Sequence, residues 1–308
     1  MTATEALFGV GVSNAIGVAA GLAPGSVPGV LRLAARADRD GLDLFSVSDH
    51  PYAGGRFDAY AAVGVALGGT SRISGLVNVS NLPSRPAPML ARTVTSLSAL
   101  TGGRIVLGLG AGGLWDDIVR LGVPRLDPAA AVRALEESVT LIRALSGGGP
   151  PVTFEGEFHR VDALEPAPVA APRIWTGSVG PKSLAVTGRV ADGWIPGHAA
   201  DWLSARYRES RPVIDAAAHA VGRRAADIAT VFNFPGVITP RPLAATRDRD
   251  GRWVGGSAGQ WVEELAGAVR EFGAAGFIHF PVGDASAEDQ LGRWASEVVP
   301  AVRERLAA

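Results

Sequence analysis

The stretch Leu42-Asp43-Leu44-Phe45-Ser46-Val47-Ser48-Asp49-His50 joins an apolar run to two chemically active side chains. Its first six residues predict a buried strand. A carboxylate and an imidazole follow directly, and such groups are costly to bury without partners. In parallel α/β proteins, ligands lie beyond the carboxyl ends of the strands. Asp49 and His50 are therefore candidate site residues, with a helix cap for Asp49 and a satisfied surface position for His50 as the alternative.

The rest of the chain repeats this alternation of short apolar runs and helical patterns. Strands are predicted at residues 8–13, 42–47, 73–79, 105–109, 172–176, 193–195, 228–234 and 277–280. Helices are predicted at 27–40, 58–68, 86–100, 130–145, from 181, and at 201–220, 258–272 and 286–306, with a hairpin at 152–161. Eight strand–helix units predict an α/β fold, a closed (β/α)8 barrel in one domain over residues 1–308, with an open doubly wound sheet as the alternative. Residues 235–257 have no clear period and predict an insertion loop over the strand ends.

Composition excludes several classes of function. The chain has 308 residues, 47% of them hydrophobic, and a net charge of −1, which indicates a soluble globular protein and argues against a nucleic-acid partner. It has no cysteine, and its five histidines do not occur in HxxxH or HExxH spacings, so no metal site is expected. No apolar run is long enough to span a membrane and the first residues lack a basic region, so a cytoplasmic location is expected.

A loop of small residues predicts a phosphate site. The segment Gly177-Ser178-Val179-Gly180 follows the fifth predicted strand and precedes a helix that begins near Pro181. Small residues let a backbone approach an anion, and a helix N-terminus offers free N–H groups and a positive dipole end. Lys182, the only lysine in the chain, adds a positive charge in the first helical turn. An ordinary tight loop with a solvated lysine is the alternative.

Other features near the strand ends allow both a functional and a structural interpretation. The segment Gly108-Leu109-Gly110-Ala111-Gly112-Gly113 has the GxGxxG pattern, but no acidic residue ends a second strand about 20 residues later, as a dinucleotide-binding unit requires. We interpret it as a backbone platform for a flat ligand, with glycine packing as the alternative. His279 is interpreted as a hydrogen-bonded core residue rather than a group facing the barrel interior. Four tryptophans either wall an apolar pocket or belong to the core: Trp115, Trp175, Trp194 and Trp202.

Taken in order, several segments resemble the bacterial luciferase-like superfamily of oxidoreductases. Residues 41–51 are similar to the second strand of that family with its Asp-His pair, and residues 70–91 are similar to its third strand and the following helix. Residues 97–112 give the most specific match. Residues 177–182 and 191–194 are similar to the phosphate loop and the sixth strand.

The resemblance implies a (β/α)8 barrel that binds coenzyme F420 or FMN at its mouth, and the Val-Ser-Asp-His form is especially similar to the F420-dependent branch. It implies that His50 lies near the deazaflavin ring, where it would act as proton shuttle or ring-polarising donor. Asp49 would orient His50 or hydrogen-bond the cofactor. The other implied cofactor-binding residues are Leu76, Val77 and Asn78 at a bulge with a non-proline cis peptide, Ala111 and Gly112 after the fourth strand, and Gly177, Ser178, Val179, Gly180, Pro181 and Lys182 at the phosphate.

One departure from the family narrows the substrate. The sugar-phosphate dehydrogenase branch carries a catalytic glutamate where this chain has Gly113, and Asp116 and Asp117 are displaced from that position. This argues against glucose-6-phosphate and leaves the general acid or base open. The expected activity is F420-dependent hydride transfer to or from a small organic substrate. The alternatives are an FMN-dependent monooxygenase that uses externally reduced flavin and O2, and a non-catalytic flavin-binding barrel; the resemblance also implies a homodimer.

Overall fold

The computed structural model describes residues 6–16, 28–282 and 286–308. The strands are β1 (Leu7–Gly11), β2 (Leu44–Val47), β3 (Ser74–Asn81), β4 (Ile105–Gly110), β5 (Val152–Glu155), β6 (Arg160–Leu164), β7 (Ile174–Thr176), β8 (Gly193–Trp194), β9 (Ala229–Thr239), β10 (Gly255–Ser257) and β11 (Gly276–Pro281). Within these residues, β1, β2, β3, β4, β7, β8, β9 and β11 pair in parallel, and β11 returns to β1. The eight-stranded barrel is therefore closed, as predicted, and the open sheet is excluded.

The helices of the described residues follow the barrel strands. They are α1 (Gly29–Arg39), α2 (Ala59–Gly68), α3 (Ala87–Thr101), α4 (Trp115–Ile118), α5 (Pro128–Ala144), α6 (Pro181–Val190), α7 (Ala205–Ala220), α8 (Ala258–Phe272), α9 (Ala287–Arg293) and α10 (Val299–Ala307). Val27, at the predicted start of the first helix, lies outside the described residues. The predicted start of α7 at residue 201 is wrong, because Asp201 accepts the backbone N–H groups of Leu203 and Ser204 in a turn, and Ser204 then caps the helix. α4 was not predicted.

The core has two layers, because successive side chains of a strand point to opposite faces. The barrel interior is filled by Leu44, Leu76, Val106, Trp175, Ile195, Val231 and Ile278. The larger outer layer, between strands and helices, includes Trp194 and Trp202, so these tryptophans and Trp175 are core residues. His279 also lies in the outer layer, with its ring centroid 5.2 Å from that of Trp261 and 5.0 Å from that of Trp294. The Phe234 backbone acts on the His279 imidazole and raises its pKa in opposition to burial, but neither ring nitrogen makes a hydrogen bond of full geometry among the described residues.

The predicted insertion at residues 235–257 is partly regular structure. β9 continues through Thr239, and β10 pairs in parallel with its last residues. Between them, the Arg247 guanidinium donates to Asp201 over 2.6 Å and to Glu264 over 2.5 Å, and it lies over the Trp253 ring. These contacts fix the segment to the start of α7 and to α8. Residues 240–254 thus form the predicted insertion loop, held in place by these contacts, and only the two ends of the predicted range belong to strands.

Two glycines of the predicted platform are required by packing. A Cβ on Gly108 would lie 2.2 Å from the Val77 carbonyl oxygen, and one on Gly110 would lie 2.9 Å from Val79. Both distances are shorter than a carbon atom tolerates, so neither position accepts a side chain without movement of β3. The packing alternative is therefore correct for these two residues, which bring β4 close to β3.

Candidate active site

Asp49, directly after β2, is the centre of a buried ionic network. Arg85 donates to its two carboxylate oxygens over 2.7 and 2.6 Å, and the Asn81 backbone N–H donates to it over 2.9 Å. With 4% exposure, this carboxylate would be costly to bury without such partners. It makes no hydrogen bond to His50 among the described residues, which corrects the expectation that Asp49 orients His50. Asp49 instead ties the end of β2 to the end of β3.

Arg85 extends this network to α2. Its guanidinium donates to Asp58, the N-cap of α2, over 2.6 Å and lies 4.9 Å from the centre of the Tyr60 ring. The Tyr60 hydroxyl lies 2.6 Å from the Ser80 hydroxyl in β3. The network therefore holds the ends of β2 and β3 and the start of α2 as one unit.

His50 has a different partner, the hydroxyl of Tyr52. The His50 Nδ1 atom and the Tyr52 Oη atom are 2.7 Å apart, and the two rings meet edge to face with centroids 5.6 Å apart. Burial, with a further effect from Arg56, lowers the pKa of His50, although the negative charges of Asp49 and Asp117 act in the opposite direction. Burial raises the pKa of Tyr52, and Asp117 and Asp49 raise it further. At neutral pH the pair is therefore a protonated phenol beside a neutral imidazole.

The loop that carries His50 is anchored to the end of β1. The Asn14 side-chain amide donates to the Ser48 carbonyl over 3.0 Å and to the Phe57 carbonyl over 3.1 Å, and Asn14 is 1% exposed. Arg56 donates to the Ser48 hydroxyl over 2.8 Å. These contacts fix both ends of the segment 48–57, so His50 and Tyr52 lie on a short, tethered loop.

β3 contains the bulge that the resemblance implied. The register of β3 against β4 shifts between Val77 and Ser80, and the peptide between Asn78 and Val79 is cis. Leu76 and Val77 are fully buried, in the barrel interior and in the outer core respectively, so the accessible part of the bulge begins at Asn78. The bulge therefore lies about one residue later than the predicted segment.

The bulge provides the floor of the barrel mouth. The Asn78 amide donates to the Asn233 side-chain oxygen in β9 over 2.8 Å, and the half-buried Val79 joins the interior cluster. A Cβ on Gly177 would lie 3.0 Å from Val79, so the glycines of β4 and of the loop after β7 make room for this side chain. The floor is thus a small apolar surface flanked by two amide side chains.

The loop after β7 presents unpaired backbone N–H groups. Among the described residues, the N–H groups of Ser178, Val179 and Gly180 donate to no protein acceptor. The N–H groups of the first turn of α6 have no helical acceptor either, and Lys182 lies exposed in that turn. The Ser178 hydroxyl, in contrast, points inward and accepts from Thr187 over 3.0 Å. An anion at this loop would therefore bind the backbone rather than the serine side chain.

The turn after β4 has one glycine that its conformation requires and one that it does not. Gly112 has φ +97°, and a Cβ there would lie 2.8 Å from Pro83. Gly113 is exposed, and a Cβ there would meet no atom within 4 Å. Ala111 is half-buried against the outer core. Asp116 pairs with Arg125, whereas Asp117, 3.2 Å from Arg120, also acts electrostatically on His50.

Three important residues were not predicted from the sequence: Arg85, Tyr52 and Asn233. Arg85 had a signal, because a buried carboxylate at Asp49 requires a cation. Tyr52 and Asn233 had none, because a hydrogen bond depends on ring orientation and on which strands become neighbours. No group of metal-binding side chains occurs in the described ranges. No helix within those ranges is long and apolar enough to cross a membrane.

The family model of the luciferase-like monooxygenases matches residues 7–296. The chain belongs to this family. Among curated proteins, it is 34% identical over 171 residues to an F420-dependent glucose-6-phosphate dehydrogenase of Nakamurella multipartita. The matched residues make up 53% of this chain and 50% of the relative. The matched region thus spans about half the length of that relative.

Solved structures show the same fold. A riboflavin lyase with modified FMN and riboflavin superposes with a TM-score of 0.80 at 15% identity, covering 98% of this chain and 92% of that one. An F420-dependent secondary alcohol dehydrogenase with an F420–acetone adduct superposes with a TM-score of 0.76 at 17% identity, covering 97% and 99%. At these identities the likeness establishes the barrel and not the cofactor. Family membership and the superpositions therefore agree on a luciferase-like barrel.

Proposed function

We propose that this luciferase-like oxidoreductase binds coenzyme F420 and transfers hydride between the deazaflavin and a small organic substrate. The observation that carries the proposal is the alignment of three features at one barrel mouth: the His50–Tyr52 pair, the Asn78–Val79 bulge and the unpaired N–H groups of residues 178–180. The 34% identity to an F420-dependent dehydrogenase favours F420 over FMN.

The residues present fit a phosphate-bearing cofactor. A Cβ on Gly180 would approach no atom closer than 3.9 Å, and Gly180 has an extended backbone, so neither packing nor conformation requires glycine there. The open space beside a row of free N–H groups is what an approaching phosphate needs. Ser178, Val179, Gly180 and Lys182 would hold that group.

When bound, the deazaflavin supplies or accepts the hydride. The chain's own residues supply position and protons. Val79 and Asn78 would support the ring from the barrel floor, and the Asp49–Arg85 pair holds that bulge against β2. His50 would hydrogen-bond the deazaflavin ring when its imidazole is neutral, and it would supply the proton that accompanies hydride transfer only from its imidazolium form, because a neutral imidazole is a very weak acid.

The alternative function is an FMN-dependent monooxygenase of the same fold. The riboflavin lyase, which has this fold, was solved with modified FMN and riboflavin. Equilibrium titration of the purified protein with F420 and, separately, with FMN distinguishes the two. Tight F420 binding with weak FMN binding is the expected result, and oxygen consumption with reduced FMN should be absent. The reverse affinities with oxygen consumption would establish the monooxygenase.

Binding of neither cofactor would overturn the proposal. Lys182→Gln tests the phosphate site directly, because it removes a charge from an exposed side chain in the first turn of α6. Arg39→Gln is the matched control, since it removes an exposed charge at the end of α1, which is distant in sequence from the loop after β7. We expect weaker F420 binding only for Lys182→Gln.

The homodimeric state also remains a prediction, which sedimentation of the purified chain would test.

A further inference from the structure

Tyr52 is a half-exposed tyrosine whose only side-chain hydrogen bond within the described residues is to His50. The Oη–Nδ1 distance is 2.7 Å, and the Tyr52 ring meets the His50 ring edge on. Within the ranges that the structure describes, no acidic or basic side chain binds that Nδ1 atom. The tyrosine is therefore the one group in direct contact that can define the proton arrangement of His50.

The direction of this hydrogen bond follows from the donor and acceptor strengths of the two groups, because a phenol O–H is a stronger donor than an imidazole N–H and an imidazole nitrogen is a stronger acceptor than a phenol oxygen. The phenol carries its proton at neutral pH, and the imidazole is neutral there. A neutral imidazole has one ring nitrogen that donates and one that accepts. If Nδ1 accepts from Tyr52, the ring proton must reside on Nε2.

We propose that Tyr52 is the positioning residue of His50: its hydroxyl donates to Nδ1 and thereby fixes the ring orientation and the Nε2–H tautomer. The Nε2–H tautomer gives His50 one defined donor atom, and the catalytic use of that donor rests on the proposed function. The hydrogen bond itself exists in the protein without cofactor. Tyr52 thus takes the orienting role that the sequence assigned to Asp49.

The charged groups around the pair come from three elements. Asp49 at the end of β2 and Asp117 in α4 favour the protonated imidazole, and Arg56 in the loop before α2 disfavours it. These charges change the proton affinity of His50 but do not distinguish its two ring nitrogens by contact. Of the described residues, only Tyr52 contacts one of the two ring nitrogens, so the tautomer is the specific readout.

The test is NMR of the imidazole nitrogens in ¹⁵N-labelled protein without cofactor. His50→Gln assigns the His50 signals among the five histidines. In the unmodified protein, at a pH above the pKa of His50, we expect Nε2 to be protonated and Nδ1 to be unprotonated. Tyr52→Phe should mix the two tautomers and increase the proton affinity of His50 roughly three- to tenfold, because the neutral ring loses a donated hydrogen bond.

Tyr207→Phe is the matched control. It removes the hydroxyl of a tyrosine in α7 that donates to the Phe272 carbonyl over 3.3 Å, and it should leave His50 unchanged. A proton on Nδ1 in the unmodified protein would overturn the proposal. So would a Tyr52→Phe variant with the original tautomer and proton affinity.

A second measurement uses the loaded enzyme. With F420 and a substrate, Tyr52→Phe should lower kcat and leave the Kd for F420 nearly unchanged, and its pH profile should shift toward higher pH. Loss of F420 affinity equal to the loss in kcat would contradict a positioning role. Absence of F420 binding in the unmodified protein would refute the proposed function, while the NMR result would still decide the role of Tyr52.

Discussion

Replacing Gly180 by aspartate should separate the stability of α6 from the anion-binding capacity of its N-terminus. Gly180 is the N-cap of α6, with φ −88° and ψ 156°, and a Cβ there would lie 3.9 Å from the Ser183 hydroxyl. Aspartate therefore fits without movement of its neighbours. Its carboxylate can accept the N–H groups of the first helical turn, which are the groups that a phosphate would use.

The two effects of Gly180→Asp have opposite signs. Aspartate is a better N-cap than glycine by a few tenths of a kcal/mol, and its attraction to the helix dipole adds about 0.3–1 kcal/mol. The free energy of unfolding should therefore stay constant or rise. A phosphate that loses two charge-assisted hydrogen bonds, each about 1.5–3 kcal/mol, should bind at least about 100-fold more weakly.

Urea unfolding and cofactor titration of the same preparation measure both quantities. Gly180→Asn is the control, because asparagine caps the helix equally well without a charge, and its cofactor affinity should lie between the other two. A folded Gly180→Asp variant with undiminished affinity would show that the cofactor phosphate does not bind at this helix N-terminus.

Three further predictions concern side chains of the site and the core. His50→Ala should lower turnover much more than F420 affinity; steady-state kinetics with equal turnover would remove His50 from the mechanism. Arg85→Leu should lower the free energy of unfolding by about 3–5 kcal/mol in urea, since it leaves the Asp49 carboxylate buried without a cation, and adding Asp49→Asn should recover part of that loss. Burial lowers the pKa of His279 from 6.5 to about 4, so only the unfolded chain takes up this proton between those values. Above pH 6.5 the protonation of His279 does not affect the free energy of unfolding. As the pH falls to about 4, the free energy of unfolding should decline by up to about 3 kcal/mol. The His279→Phe variant should lack this part of the decline.

The barrel was predictable because its signal is local. A strand buried on both faces needs a continuous apolar run such as residues 42–47, and each crossover needs a helical pattern. The errors occurred where side-chain hydrogen bonds, which the hydrophobic pattern does not show, decide the course of the backbone. Arg247 fixes the excursion after β9, and Asp201 forms a turn where the pattern predicted the first turn of α7.

The residue types of the site were also visible in the sequence, but not their partners. Asp49 and His50 are adjacent in the chain and point into different networks, one toward Arg85 and the other toward Tyr52. Adjacent residues at the end of a strand face opposite sides, so sequence proximity gives no contact between their side chains.

Local sequence patterns were sufficient for the order of strands and helices, for the Asp-His pair after β2 and for the loop of small residues after β7, because each depends on a few consecutive residues. The resemblance to the family placed the bulge within about one residue. The fold had to be seen for the rest: which hydroxyl contacts His50, and that Gly108 makes room for β3 rather than for a ligand. These outcomes depend on the closure of the barrel, which brings together atoms from distant parts of the chain within a few ångströms, and no pattern along the chain encodes such distances.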